Sequence, residues 1–169
     1  MSKIKDALVS IGDYLRREII AELIAQGHNL TGKLKDSIDE EIKQTVDKIE
    51  LVGSMELYGR FLDEGVMPDQ IKSPFAPARI LGLTNWVKIK FAVDAKKAKG
   101  IAFAIATVHK RVGMPSRRGK FAPDKTEFFT KVFKKNESRI TVDLEKAGGE
   151  HLNLLLTNLI RDTQRQFST

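Results

Sequence analysis

Ile38-Asp39-Glu40-Glu41-Ile42-Lys43-Gln44-Thr45-Val46 is where this chain changes period. Ile38, Glu40, Ile42, Gln44 and Val46 alternate with Asp39, Glu41, Lys43 and Thr45, the two-residue repeat of a strand with one face turned inward. Asp47-Lys48 can turn, and Ile49, Leu51 and Gly53 then alternate with Glu50, Val52 and Ser54. The pattern predicts a two-stranded antiparallel hairpin over about 38–54 with one buried face. An isolated hairpin is marginal in water, so another element must cover it.

The cover lies upstream. Ile4, Leu8, Ile11, Leu15, Ile19 and Leu23 recur at spacings of three and four, with Ala7, Ile20 and Ile24 widening the stripe. This is an amphipathic helix. Ser2 can cap it, Asp6 suits its positive end, and Gly27 stops it after about six turns. Gly12 inside it costs about 1 kcal/mol relative to alanine. Thr31 can then cap one further helical turn, with Leu34 and Ile38 inward. The expected fold class is α+β: a long N-terminal helix packed on a small antiparallel sheet, followed by several helices.

Downstream, Leu57-Tyr58-Gly59-Arg60-Phe61-Leu62-Asp63-Glu64-Gly65 reads as a short helix. Tyr58, Phe61 and Leu62 share one side and Arg60, Asp63 and Glu64 the other, with Gly65 as C-cap and Pro68 against resumption. Pro68, Pro74 and Pro77 stiffen a loop over 66–78. Ala78 to Val93 is expected to be helical, with Ile80, Leu83, Trp86, Val87 and Phe91 inward. Asp94 to Val112 is expected to be another helix, with an alanine-rich face of Ile101, Ala102, Ile105, Ala106 and Val108. Gly113 to Lys120 has the composition of an exposed, mobile loop. From Asp124 the chain is helical again. Phe128, Phe129, Val132 and Phe133 open an apolar face that continues through Ile140, Leu144, Ala147, Leu152, Leu155, Leu156, Leu159 and Ile160. Gly148-Gly149 should break or kink this helix. The 169 residues make one domain, with a basic helical insertion at about 66–123 and a C-terminal helical region at about 124–165.

Charge is divided along the chain. Residues 1–87 carry 11 basic and 14 acidic groups, residues 88–139 carry 15 and 4, and residues 140–169 carry 3 and 4. The net charge of +7 is therefore concentrated in the central third, at +11. Such a block can face nucleic acid, face an acidic protein neighbour, or be a solvated lysine-rich surface. Lys110, Arg111, Arg117, Arg118 and Lys120 cluster at a helix end and its loop, suited to phosphate contact without sequence reading. Without cysteine there is no disulfide, thiolate nucleophile or Cys-ligated metal. His28, His109 and His151 lack metal-ligand spacing, serines lack a nucleophile elbow, and no phosphate-binding glycine loop occurs. The sequence therefore predicts no enzyme and no cofactor. Asp63-Glu64 beside Arg60 suggests a surface ion-pair cluster or an interface latch. The N-terminus has no signal-peptide core and no apolar run would span a bilayer, so a cytoplasmic protein with no membrane partner is expected.

Taken in order, these pieces resemble the tail-completion, or minor tail component, proteins of tailed double-stranded DNA phages. Thr31-Gly32-Lys33-Leu34-Lys35-Asp36-Ser37-Ile38 is similar to that family's Thr-Gly-basic-Leu-basic-x-Ser-Ile signature after a long helix. Tyr58-Gly59-Arg60-Phe61-Leu62-Asp63-Glu64-Gly65 is similar to its Tyr-Ala-x-x-Val-Glu-x-Gly segment, and Glu127-Phe128-Phe129 stands where Pro-Phe or Phe-Phe is usual. The resemblance covers about residues 5–160. The Arg117-Arg118-Gly119-Lys120 insert and the glycine pair depart from it. It implies a structural virion protein of the neck, assembled in the host cytoplasm, forming a homo-oligomeric ring between connector or portal-side and tail proteins. Tyr58, Arg60, Phe61, Asp63 and Glu64 would then meet a neighbouring subunit. Lys110, Arg111, Arg117, Arg118 and Lys120 would face channel DNA or an acidic ring. A tail terminator, another minor tail protein and a sequence-independent nucleic-acid-binding module are the alternatives.

Overall fold

A computed structural model describes residues 3–28, 31–45 and 48–166, with side chains to residue 158. The expected cap at Ser2, Val46 of the expected first strand, Asp47 of the expected turn, and the side chains of Leu159 and Ile160 lie outside the described residues. The fold is α+β, mostly helical with a small two-stranded antiparallel sheet. Helix α1 spans Lys3–Ala25 and buries Leu8, Ile11, Leu15, Ile19 and Leu23, with Ile4 half-buried. Ile24, expected to widen this stripe, is exposed. Gly27 (φ 79°) ends the helix in the left-handed region that glycine favours. The N–H groups of Gly27 and His28 donate back to the carbonyls of Ile24 and Leu23, at 2.9 and 3.1 Å.

Helix α2 (Lys33–Ser37) is the expected single turn, but Thr31 does not cap it. Gly32 occupies the cap position at φ 76° without any side-chain bond. Strands β1 (Asp39–Gln44) and β2 (Ile49–Ser54) pair antiparallel, from Asp39 opposite Ser54 to Gln44 opposite Ile49. Beyond the paired strands, the Thr45 N–H donates to the Lys48 carbonyl at 2.8 Å. The hairpin lies on α1 at Gly12, where a Cβ would sit 2.9 Å from Leu51 Cδ1 and 3.2 Å from Glu40 Cγ. The glycine that weakens the helix is what lets the sheet approach it.

Helix α3 (Leu57–Glu64) ends at Gly65 as expected, yet its buried face is not the expected one. Leu62 is half-buried against the core as expected, but Gly59 and Asp63 are buried, whereas Tyr58 and Phe61 are exposed. A 3-10 turn at Pro68–Gln70 leads to α4 (Pro77–Phe91), which packs on α5 (Ala95–Val112). On α4 only Ile80 and Val87 are buried, and Trp86 and Phe91, expected inward, are exposed. One neighbouring helix covers one stripe. Gly113 to Lys120, expected as a mobile loop, holds paired backbone instead. β3 (Ser116–Arg117) pairs with β4 (Lys120–Phe121) across Arg118-Gly119, both at positive φ. That is the two-residue turn whose twist suits a hairpin.

Helix α6 runs from Phe128 to Gln166 without interruption, so Gly148-Gly149 does not break it. It lies antiparallel to α1, with Glu18 near Lys135 and Lys3 near Glu150. Its 39 residues extend about 58 Å against about 35 Å for α1, so its last turns pass beyond the core. Leu152, Leu155 and Leu156, expected to continue the inner face, are consequently exposed. The core is Ile11, Leu15, Ile19, Leu23, Leu34, Ile38, Phe128 and Val132, from α1, the α2 segment and the start of α6.

Candidate interaction interface

The α4–α5 arm is built on small residues. Ala98, Ala102 and Ala106 are fully buried in one stripe of α5, which allows α4 to lie close. Asp94 caps α5 by accepting from the Lys97 N–H at 2.9 Å, and this bond holds its carboxyl below the usual carboxylate range. Val66 and Met114 fasten the arm's base through paired backbone hydrogen bonds of 2.8 and 2.9 Å. Gly113 (φ 87°) makes this bridge possible, because a Cβ there would fall 2.6 Å from the Val66 carbonyl oxygen.

Between Ile71 and Ala122 the chain has 12 basic residues and one acidic residue, Asp94. The structure distributes ten of these cations, all but Lys72 and Arg79, between two ends. At the base, Arg111, Arg117, Arg118 and Lys120 are exposed around the β3–β4 turn. Arg117 approaches Asp124 at 3.6 Å. Lys110 spends its ammonium on the Ile71 carbonyl at 3.2 Å. Sequence reasoning singled out this end and missed the other. Toward the tip, Lys88, Lys90, Lys96, Lys97 and Lys99 are exposed, and so are Trp86, Ile89 and Phe91. Trp86 and Phe91 meet edge to face, 5.9 Å between ring centres. Trp86-Val87-Lys88-Ile89-Lys90-Phe91 was the available signal, since alternating apolar and cationic residues cannot all turn inward.

The α3 residues separate. Arg60 Nε donates to Glu64 Oε1 at 2.7 Å on the surface, beside exposed Leu57, Tyr58 and Phe61. Asp63 is not offered to a neighbour. It is 8% exposed and caps α6 within its own chain. Its Oδ1 accepts from the Phe129 N–H at 2.7 Å, its Oδ2 from the Thr130 hydroxyl at 2.8 Å, and its carbonyl from the Glu127 N–H at 2.7 Å.

A cleft of about 170 Å³ opens between α1, the hairpin and α6, lined by Leu15, Ile19, Leu51, Phe129 and Phe133 with Asp39 and Glu40 at its polar side. Burial pushes the Glu40 carboxyl up, and Arg16 at 3.5 Å pulls it back while Asp13 and Asp39 add to the rise. Glu40 Oε2 is buried without a hydrogen-bond partner. On the arm, burial and then the charge of Arg79 lower His109 to about 4. Its Nδ1 lies 3.2 Å from Arg79 Nη2. His28 is also lowered, mainly by burial, and its Nε2 lies 2.8 Å from the Lys125 carbonyl. Among the described residues no group of three or more His, Asp or Glu side chains is placed to hold a metal, and no helix is long and apolar enough to cross a membrane. No protein-family model, curated protein or solved structure matches this chain.

Proposed function

We propose that this chain is a structural virion protein of a tailed phage, a ring subunit of the neck that completes or joins the tail. The observation that carries the reading is the amount of apolar surface a single copy leaves uncovered, gathered in patches. Leu57 and Phe61 on α3, Leu81, Trp86 and Ile89 on α4, and Leu152 and Leu156 on α6 are all exposed. Contiguous exposed apolar surface marks protein contact. The ordered resemblance of the Thr31–Ile38 and Tyr58–Gly65 segments to tail-completion proteins gives that contact a setting. In this reading exposed Tyr58, Arg60, Phe61 and Glu64 meet a neighbouring subunit, and the base cations Arg111, Arg117, Arg118 and Lys120 face channel DNA or an acidic ring. A tail terminator or another minor tail protein would use the same surfaces on a different ring.

Light scattering of the protein, alone and with purified neck components, tests the reading. The expected result is a ring, or a monomer that becomes a ring on its partner. Ala substitution of Arg117, Arg118 and Lys120 together should impair particle assembly or genome retention, and unchanged infectivity would remove the channel role of those three. The near absence of acid from residues 71–122 favours a second reading, sequence-independent nucleic-acid binding. A stable monomer that ignores neck components and binds duplex DNA with a steep salt dependence would establish it instead.

A further inference from the structure

We infer that the tip of the α4–α5 arm is a knob that seats in the α1–hairpin–α6 cleft of a second copy of this chain. The inference rests on the ring reading and specifies its contact. The cleft is apolar inside, with about 170 Å³ of space. An apolar cavity of about 150 Å³ is enough to hold a benzene ring. The arm tip offers aromatic rings of that class, Trp86 and Phe91, both exposed on a helix with one covered face. Charge agrees with shape. Asp39 and Glu40 line the polar side of the cleft with Asp13 beside them, against the single cation Arg16, which approaches Glu40 Oε2 at 3.5 Å without hydrogen-bonding it, so the rim stays net acidic. Lys88 and Lys90 flank the tip aromatics and make no ion pair among the described residues. Residues 31–64 carry nine acidic and five basic groups, opposite in sign to the arm. Oppositely charged surfaces steer association and set its register. Each copy holds both knob and hole, so the contact passed from copy to copy gives a closed ring or an open filament, and a reciprocal exchange between two copies would instead stop at a dimer.

The chain has no cysteine, which permits a clean cross-linking test. Gly53 lines the cleft, and a Cβ added there meets nothing within 4 Å. Ile89 is exposed at the tip. Gly53→Cys and Ile89→Cys in one full-length chain should give, on mild oxidation, a ladder of covalent dimer, trimer and higher species. Disulfide formation needs the two Cα atoms within about 7 Å. Each single variant can give no species above a dimer. Trp86→Glu in the double-cysteine chain should abolish the ladder while circular dichroism and melting stay unchanged. Lys90→Glu should weaken it, and adding Asp39→Lys should restore it. Absence of the ladder at every concentration, or a ladder indifferent to Trp86→Glu, overturns the contact. Short duplex DNA present during oxidation should leave the ladder unchanged, and its suppression by DNA would assign the tip to nucleic acid. Rings on neck components without the cross-link overturn this contact and spare the virion reading. A ladder from protein that never enters particles does the reverse.

Discussion

Asp63 holds the first turn of α6 although 66 residues separate it from Phe129. Its carboxylate satisfies amide groups that a helix N-terminus leaves free, in a place water does not reach. Asp63→Ala should therefore cost about 3 kcal/mol in urea unfolding, the sum of a lost cap and stranded donors. Asp63→Asn keeps one acceptor and should cost less. An equal loss for both would mean that charge, not acceptance, carries the cap. His109 acts through pH. An unfolded histidine titrates near 6.5, whereas His109 in the fold titrates at about 4, so the unfolded chain takes up the proton first. Stability should fall as pH drops from about 6.5 to about 4 and level off below, with the lowered His28 adding in the same direction. The raised carboxyl of Glu40 has the opposite effect, favouring the fold on its acid side. Melting curves across this range should be flatter for His109→Gln than for the wild type.

At the scale of elements, glycine does two different jobs. Gly113 and Gly65 are at positive φ where two strands of backbone approach, and Gly113→Ala would drive a Cβ into the Val66 carbonyl. Gly148 and Gly149 lie within α6, and a Cβ at either meets nothing within 4 Å. Replacing both with alanine should stabilise the helix by up to about 1 kcal/mol each, read as a rise in melting temperature. No change would show that this part of α6 frays before the core unfolds. Local rules made a break at the glycine pair reasonable. The helix continues because α1 packs along α6 to its own first turns, where Lys3 approaches Glu150 at 3.8 Å, and packing outweighs about 2 kcal/mol of unfavourable propensity.

Across the whole molecule, two parts extend from one core: the cationic arm and the far end of α6. Leu152 and Leu156 are 61% and 56% exposed there, beyond the start of α1. A chain ended after Glu150 should keep its core, with urea stability changed by less than about 1 kcal/mol, because those leucines bury little within the monomer. The same truncation should reduce association if a neighbour covers them, measured by sedimentation. A large loss of stability would instead mean that the overhang folds back on the core in solution.

The sequence by itself determined what depends on near neighbours in the chain. The α1 stripe, the alternating strands on either side of their turn, the stops at Gly27 and Gly65 and the Asp94 boundary of α5 follow from periodicity, glycine conformation and capping. Absence of cysteine and the concentration of positive charge in the central third were equally plain. Which face of each short helix is covered was decided only by tertiary structure, because burial depends on what stands opposite. Asp63 is inside because α6 begins beside it, and Phe61 is outside because no described residue covers it. Trp86 and Phe91 are outside because α4 has α5 on one side alone. The cleft that could receive them exists only where α1, the hairpin and α6 converge, a junction of segments that local periodicity treats separately.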